Sequence, residues 1–287
     1  MTSTSLPTAS EPVPVPESTP VLHASGVTMR FGGLVAVNAV DFEVHDREIV
    51  GLIGPNGAGK TTFFNCLTGM YRPTAGRVLY RGNALKLKPR KVAAAGIART
   101  FQNIRLFGNM TALENIMVGR YCRTKSGVLT SVLRGRRYRT EERETVDRAR
   151  ELLGFVGLAS VGNTLARNLS YGDQRRLEIA RALATDPGLL LLDEPTAGMN
   201  PNETGKVTDL IFEIREQGLG VVVIEHDMRF IFRLCDRITC LVRGEKLVEG
   251  TAEQVQSDER VIDAYLGTGT SSTAEPGDEA EDGRTDQ

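Results

Sequence analysis

The sequence lacks any apolar run approaching the roughly 18 residues that a membrane-spanning helix needs. It also lacks the basic start and apolar stretch of a secretion signal. Its four cysteines show no CxxC spacing, and two of them lie in apolar surroundings, as buried free thiols usually do. We therefore expect a cytoplasmic chain with structural thiols and no membrane span of its own.

A strong net charge is missing too, because the 287 residues sum to a formal charge of −1. That value hides an uneven distribution. Residues 1–20 and 268–287 together hold eight acidic residues and one basic residue, which leaves 34 basic and 28 acidic residues in the rest of the chain. A mildly basic body suits a polyphosphate ligand or an anionic surface, but it identifies neither.

The two ends of the sequence differ from its middle. Residues 1–20 are rich in Ser, Thr and Pro with a polyproline bias, and residues 268–287 form an acidic, polar stretch. We predict a disordered tail at each end and a folded region over residues 21–267. With 40% hydrophobic residues, that region has ample material for a core.

Three continuous apolar runs end in polar residues, at 48–54, 189–194 and 221–227. Such runs are typical of parallel strands covered on both faces, and ligands bind at the carboxyl ends of these strands. Residues 21–31, 37–46 and 76–85 alternate more and favour edge or antiparallel strands, whereas residues 105–183 have helical periodicity. The predicted fold class is α/β, with a parallel-sheet core, an antiparallel β subdomain and an inserted helical subdomain at about 105–183.

A phosphate-binding loop is the strongest single motif. "GPNGAGKTT" at 54–62 matches G-x-x-x-x-G-K-[ST] between a predicted strand and a predicted helix. Glycines let backbone N–H groups converge on phosphate oxygens, and the helix N-terminus adds partial positive charge. Lys60 can then reach the β- and γ-phosphates of a nucleotide, and the Thr61 hydroxyl can bind Mg²⁺.

Polar residues at the ends of the other buried strands complete a hydrolytic site. Asp193 would bind Mg²⁺ directly or through water, and Glu194 would act as general base for the attacking water. His226 would reach the same sheet edge and could hydrogen-bond the γ-phosphate. Gln102 can contact a metal-bound water, but spacing alone leaves its role open.

A second helix start also has the features of an anion site. In "LSYGDQRRLEIARAL" (169–183), Ser170 can cap the helix and Gly172 leaves the backbone bare. The motifs "GPNGAGKTT", Gln102, "LSYGDQ", "LLLLDEP" and His226 stand in the order found in ABC-transporter ATPases, and the chain resembles that family over residues 21 to about 267. "RTFQNIRLF", "NMTALENIMVG", "VIEHDM" and "AYLG" are most similar to its branched-chain amino-acid importer branch.

The resemblance implies that the α/β fold is a P-loop NTPase (RecA-like) core with an ABC-type helical subdomain. It further implies that two ATPase subunits pack head to tail, with Ser170 and Gly172 capping the γ-phosphate on the partner's loop. It also implies that Phe31 stacks on adenine, that Gln102 senses Mg²⁺ and γ-phosphate, and that residues 104–107 line a groove for a membrane partner. The predicted ATP-binding residues are Phe31, Gly54, Pro55, Asn56, Gly57, Ala58, Gly59, Lys60, Thr61, Thr62, Gln102, Ser170 and Gly172. The predicted Mg²⁺ ligands are Thr61, Gln102 and Asp193, and the predicted catalytic residues are Lys60, Glu194 and His226.

The implied function is an ATP-hydrolysing importer subunit at the cytoplasmic face of the membrane, with a second ATPase subunit, two permeases and indirectly a solute-binding protein as partners. Two residues depart from the general family pattern: Asp173 in the signature sequence and Asn200 after the Glu194 segment. A urea, amide or lipopolysaccharide cargo stays open. Nucleic-acid binding is not expected, since acidic residues directly follow the basic "RGRRYRT" (134–140). The intact Glu194 argues against a non-hydrolysing nucleotide sensor.

Overall fold

The structure is a computed structural model that describes residues 19–121 and 136–266. Its strands are β1 (Leu22–Phe31), β2 (Leu34–Val44), β3 (Ile49–Ile53), β4 (Ala75–Tyr80), β5 (Asn83–Ala84), β6 (Ile97–Arg99), β7 (Leu189–Asp193), β8 (Gly220–Ile224), β9 (Arg237–Val242) and β10 (Glu245–Gly250). Its α-helices are α1 (Lys60–Leu67), α2 (Pro89–Ala95), α3 (Ala112–Arg120), α4 (Arg136–Phe155), α5 (Tyr171–Leu183), α6 (Pro201–Glu216), α7 (Met228–Leu234), α8 (Ala252–Ser257) and α9 (Glu259–Leu266). None of the helices in the described ranges is long and apolar enough to cross a membrane.

A six-stranded sheet in the order β10-β9-β3-β8-β7-β6 forms the centre. Strands β9, β3, β8, β7 and β6 are parallel, and β10 pairs antiparallel with β9. Every residue of β3, β7 and β8 is buried, which confirms the prediction from their continuous apolar runs. These three strands are neighbours, so the residues that follow them share one sheet edge.

A second sheet has four antiparallel strands in the order β2-β1-β4-β5, as the alternating segments predicted. The segment 76–85 is not one strand, because a turn through Arg81 and Gly82, both with positive φ, divides it. Helix α1 packs between the sheets. Phe63 on α1 meets Phe42 on β2 edge to face, with ring centroids 5.6 Å apart.

Helices α3, α4 and α5 pack on each other through apolar residues such as Ile116, Leu152 and Leu177. They lie within the predicted helical region and share a core with the six-stranded sheet. The α/β fold class is therefore confirmed, while the limits of the subdomain stay predictions. Both predicted tails, apart from residues 19 and 20, and also Cys122, lie outside the described residues.

Three cysteines within the described ranges, Cys66, Cys235 and Cys240, are buried and unbonded to each other. Burial raises the pKa of the Cys66 and Cys240 thiols to about 11. A thiol with so high a pKa is rarely ionised and reacts slowly. These three side chains behave as the structural thiols that the sequence predicted.

Candidate functional site

The glycine loop joins β3 to α1, and its backbone conformation requires glycine at several positions. Gly54, Gly57 and Gly59 have φ values of 145°, 78° and 94°. A Cβ at Gly59 would lie 2.4 Å from the carbonyl oxygen of Ala36. Gly59 is also the N-cap of α1 and supplies no side-chain cap. The first N–H groups of α1 are therefore left for an anion at the helix start.

Lys60 folds back over this loop. Its Nζ donates hydrogen bonds to the carbonyl oxygens of Gly54 and Pro55, the latter at 3.0 Å. Burial lowers the pKa of Lys60, although the nearby Glu194 and Cys240 oppose that shift. The ammonium is thus a partly desolvated cation held only by neutral carbonyls, and a phosphate would satisfy it better.

Most of the predicted ATP-binding residues line one cavity of about 680 Å³. They are Phe31, Asn56, Gly57, Ala58, Gly59, Lys60, Thr61, Thr62 and Gln102, together with Glu194 and His226. The Phe31 ring is 43% exposed at the cavity, which leaves a face for stacking on a base. Arg243, which the sequence analysis did not identify, lines the same cavity.

Glu194 is held between the two residues predicted to act with it. Gln102 Nε2 donates to one carboxylate oxygen at 2.8 Å, and His226 Nε2 lies 2.7 Å from the other. Glu194 has a left-handed backbone with φ of 48°, an uncommon conformation for this residue. Its N–H donates to the Ile224 carbonyl of β8 at 2.9 Å, which ties this turn to the neighbouring strand. The carboxylate therefore faces the cavity in a fixed position.

Asp193 is placed differently, because it is buried at the end of β7 and does not line the cavity. Arg99 on β6 pairs with its Oδ2 at 2.7 Å, and both side chains are nearly buried. Arg99 also donates to Asn65 and lies against the rings of Phe64 and Phe101. The pair orients the buried carboxylate and gives its charge a partner, since an unpaired buried charge is costly.

The predicted metal ligands supply one hydroxyl, one amide and one carboxylate oxygen, from Thr61, Gln102 and Asp193. Hard oxygen donors of this kind fit Mg²⁺, which is usually bound by one or two carboxylates together with phosphate oxygens and water. Within residues 19–121 and 136–266, no group of three His, Cys, Asp or Glu side chains is arranged to hold a metal ion alone.

The second helix start lies apart from this cavity. Ser170 is the N-cap of α5, and its Oγ accepts from the Asp173 N–H at 3.2 Å. Ser170 is exposed, and neither Ser170 nor Gly172 lines the cavity within the described part of the chain. A Cβ at Gly172 would lie 2.7 Å from Glu203 Oε1, so a side chain there would displace the Glu203 carboxylate.

The two unusual residues near this helix have local partners. Asp173 forms an ion pair with Arg176 on the same helix, so its charge is offset within α5. Asn200 caps α6 by accepting from the Glu203 N–H at 3.0 Å. Both substitutions are thus compatible with the local structure.

Known proteins with the same motifs identify the family. A family model described as "ABC transporter" matches residues 37–197. The chain is 48% identical to the high-affinity branched-chain amino acid transport ATP-binding protein LivG of Escherichia coli K12, over 87% of this chain and 99% of that protein. This chain belongs to the ABC-transporter ATP-binding family. The cassette is therefore an ATP-binding and ATP-hydrolysing subunit.

Other transporter ATP-binding proteins are similar to this chain at lower sequence identity. The cassette is 46% identical to the branched-chain amino acid transport protein BraF of Pseudomonas aeruginosa, over 87% of the chain and 99% of the relative. It is 35% identical to the lipopolysaccharide export protein LptB of Haemophilus influenzae, over 86% and 97%. A shorter model, described as "Branched-chain amino acid ATP-binding cassette transporter", matches residues 245–270.

Solved structures share the fold. An ATP-binding cassette of an ABC transporter in its ADP conformation superposes with a TM-score of 0.77 at 30% identity, covering 87% of this chain and 100% of that one. A cassette dimer in a post-hydrolysis state, bound to ADP and Pi, gives 0.68 at 28% identity, over 80% and 98%. The cassettes of this family therefore bind nucleotide and dimerise.

The groove predicted for a membrane partner is present in part. A second cavity of about 460 Å³ is lined by Phe101, Arg105 and Phe107 among others. Ile104 and Leu106 do not line it, and Leu106 packs against the core instead. Alternate residues of the predicted segment therefore face the groove, which corrects the expectation that all of 104–107 would.

Sequence reasoning missed two buried arginines that organise the cassette's site. One is Arg99, described above. The other is Arg175 on α5, which donates to the carbonyl oxygens of Phe101 at 2.6 Å and Gln102 at 2.7 Å and pairs with Glu178. The signal in the sequence for Arg99 was a charged residue at the end of an apolar strand. For Arg175 it was a charged residue on the inward face of a helix. Arg175 ties α5 to the Gln102 loop.

Proposed function

We propose that this cassette powers an importer for branched-chain amino acids. The observation that carries the hydrolytic part is the Glu194 carboxylate, fixed between Gln102 and His226 and facing the cavity that contains Lys60. The proposed cargo is inferred from relatives. LivG and BraF are named as branched-chain amino acid transport proteins, and nearly half of their aligned residues are identical to those of this chain.

In the proposed reaction, Lys60 and the N–H groups of the glycine loop hold the β- and γ-phosphates of ATP, while Phe31 stacks on the adenine. Glu194 accepts a proton from the attacking water, and His226 donates a hydrogen bond to the γ-phosphate. Thr61, Gln102 and Asp193 hold Mg²⁺ directly or through water, and the ion offsets phosphate charge when bound. Arg99 orients the Asp193 carboxylate through their ion pair.

Two cassettes would pack head to tail around ATP. Ser170, at the N-terminus of α5, is exposed and does not contribute to its own chain's cavity, so it is available to cap the γ-phosphate on a partner. Gly172 is buried against Glu203, and it would contribute only through its backbone N–H. After hydrolysis the product no longer bridges the two halves, and the dimer opens. The partner is a second copy or a related ATPase subunit.

On each cassette, the groove that Arg105 and Phe107 line would bind one permease subunit at the cytoplasmic face of the membrane. A dimer of cassettes would thus bind two permease subunits. The lining of the groove includes the rings of Phe101 and Phe107 and the cations Arg99, Arg105 and Arg181. Phe101 directly precedes Gln102, which lines the nucleotide cavity, so this segment would connect the groove to the nucleotide site. A solute-binding protein would act indirectly through the permeases. No nucleic-acid partner is proposed, and Arg148 and Arg150 on α4 pair with acidic residues of the same helix.

The Glu194→Gln variant tests the hydrolytic assignment. Removing a positioned general base typically lowers turnover about 10²- to 10⁴-fold while ATP binding is kept. We expect the variant to persist as an ATP-bound dimer, seen as earlier elution in size-exclusion chromatography with Mg·ATP. Turnover at the parental rate would show that Glu194 is not the base.

The cargo is tested by purifying the cassette with its permeases from membranes and reconstituting them in vesicles. We expect ATP turnover to rise with a co-purified solute-binding protein loaded with leucine, isoleucine or valine. Stimulation by urea or a short-chain amide, or by lipopolysaccharide as in the LptB relative, would replace the proposed cargo.

A further inference from the structure

The first peptide of the glycine loop has a hydrogen-bond partner from the far end of the chain. The parallel pairing of β3 with β9 ends at Ile53 and Cys240, so the next amide, Gly54 N–H, leaves the ladder. It donates to Tyr265 Oη at 2.8 Å, across 211 residues of sequence. A buried N–H at a strand end needs such an acceptor.

The carbonyl and the φ angle of Gly54 are restrained as well. Its carbonyl accepts from Lys60 Nζ, and its φ of 145° is outside the usual range of other residues. A Cβ at this position would lie 2.1 Å from the Leu241 carbonyl oxygen. Gly54 at the start of the loop is therefore restrained by Tyr265 at its N–H, by Lys60 at its carbonyl and by its close packing against β9.

Tyr265 is placed by helix α9, which packs beside α8 through the buried side chains of Val255 and Val261. Its ring lies against the core of the six-stranded sheet. Burial raises the pKa of Tyr265 well above its ordinary value, so the hydroxyl stays neutral and its oxygen is a stable acceptor. The helix belongs to the segment 245–270 that the second family model matches.

We propose that Tyr265 is a positioning residue for the nucleotide-binding loop, and this inference rests on the ATP-binding role of that loop. Lys60 must release the Gly54 carbonyl to reach a phosphate, which removes one of the three restraints. The Tyr265 hydroxyl still accepts from the Gly54 N–H, and it holds this residue in place while the other N–H groups of the loop bind phosphate. The C-terminal helices thereby set nucleotide affinity without contacting the nucleotide.

Tyr265→Phe removes only the hydroxyl and leaves Gly54 N–H without its acceptor. We expect ADP to bind the isolated full-length chain about 10-fold more weakly by calorimetry, the effect of losing one buried hydrogen bond. We also expect faster hydrogen exchange at the Gly54 amide without nucleotide. Val261→Ala is the matched control, since it weakens the packing of α9 but keeps the hydroxyl. It should lower Tm while leaving ADP affinity and Gly54 exchange at parental values.

Parental affinity and parental Gly54 exchange in Tyr265→Phe would overturn the inference. So would equal losses of ADP affinity in both variants, because α9 would then act through stability alone. Failure of the parental chain to bind ADP would contradict the proposed function instead, and the Gly54 exchange comparison would still decide the role of Tyr265.

Discussion

The two helix starts that the sequence marks for phosphate, at α1 and at α5, differ in what surrounds them. Helix α1 has a glycine N-cap, Lys60 is its first residue, and its N-terminal residues line a cavity. Helix α5 begins with a serine that already accepts from its own backbone, and it is exposed. In the proposed dimer, the N–H groups at these two helix starts would have different roles. Those of α1 would bind the nucleotide of their own chain, and those of α5 would bind the phosphate of a nucleotide held by a second chain.

The side chains around the start of α1 are held by hydrogen bonds and an ion pair within the chain. Lys60 bonds to loop carbonyls, Glu194 lies between Gln102 and His226, and Asp193 pairs with Arg99. Helix α5 is joined to this region through the Gln102 loop, because Arg175 on α5 donates to the carbonyl oxygens of Phe101 and Gln102.

The largest expected effect comes from removing the cation at α1. Lys60→Ala should abolish measurable ATP turnover and weaken ATP binding by about 10²-fold or more, because phosphate charge would lose the buried cation that the loop supplies. Calorimetric titration with ATP and a phosphate-release assay measure both. Lys91→Ala, at an exposed lysine on α2, should leave both unchanged. Binding retained in Lys60→Ala would place the phosphates elsewhere.

A smaller and different effect is expected at α5. Ser170→Gly keeps an acceptable N-cap, costing only a few tenths of a kcal/mol in stability, but removes the hydroxyl offered to a partner. ATP binding by the isolated chain should not change, whereas turnover should fall about 10-fold through the loss of one hydrogen bond in the dimer.

Thr111→Gly is the matched control for Ser170→Gly, because Thr111 caps α3 in the same way and lies outside the cavity. It should leave turnover at the parental level. Weaker ATP binding in the isolated Ser170→Gly chain would show that α5 serves its own nucleotide, and the contrast between the two helix starts would disappear.

The smallest effect is expected at the adenine end of the α1 cavity. Phe31→Ala should weaken ATP binding only about 2- to 10-fold, since aromatic stacking contributes about 0.5–1.5 kcal/mol beyond burial. Phe31→Tyr should restore affinity because it keeps the ring. An unchanged affinity in Phe31→Ala, measured by the same calorimetric titration, would place the base elsewhere in the cavity.

The local part of this account could be predicted from the sequence. The glycine loop, the three buried strands and the polar residues that follow them are each encoded within a few neighbouring residues. Strand β6 is only three residues long, and it was missed because so short a run carries no period. Arg99 and Tyr265 were missed for a different reason: their partners lie 94 and 211 residues away, and only the fold brings them together.

Mixing two inactive versions of the chain tests the shared pocket most directly. Lys60→Ala lacks the cation of α1 but keeps Ser170, and Ser170→Arg blocks α5 but keeps Lys60. Each should be inactive alone. If every pocket combines α1 of one chain with α5 of its partner, random pairing makes about half of the dimers mixed, each with one intact pocket, and turnover should return to about a quarter of the parental rate. A mixture as inactive as its components would contradict the head-to-tail dimer.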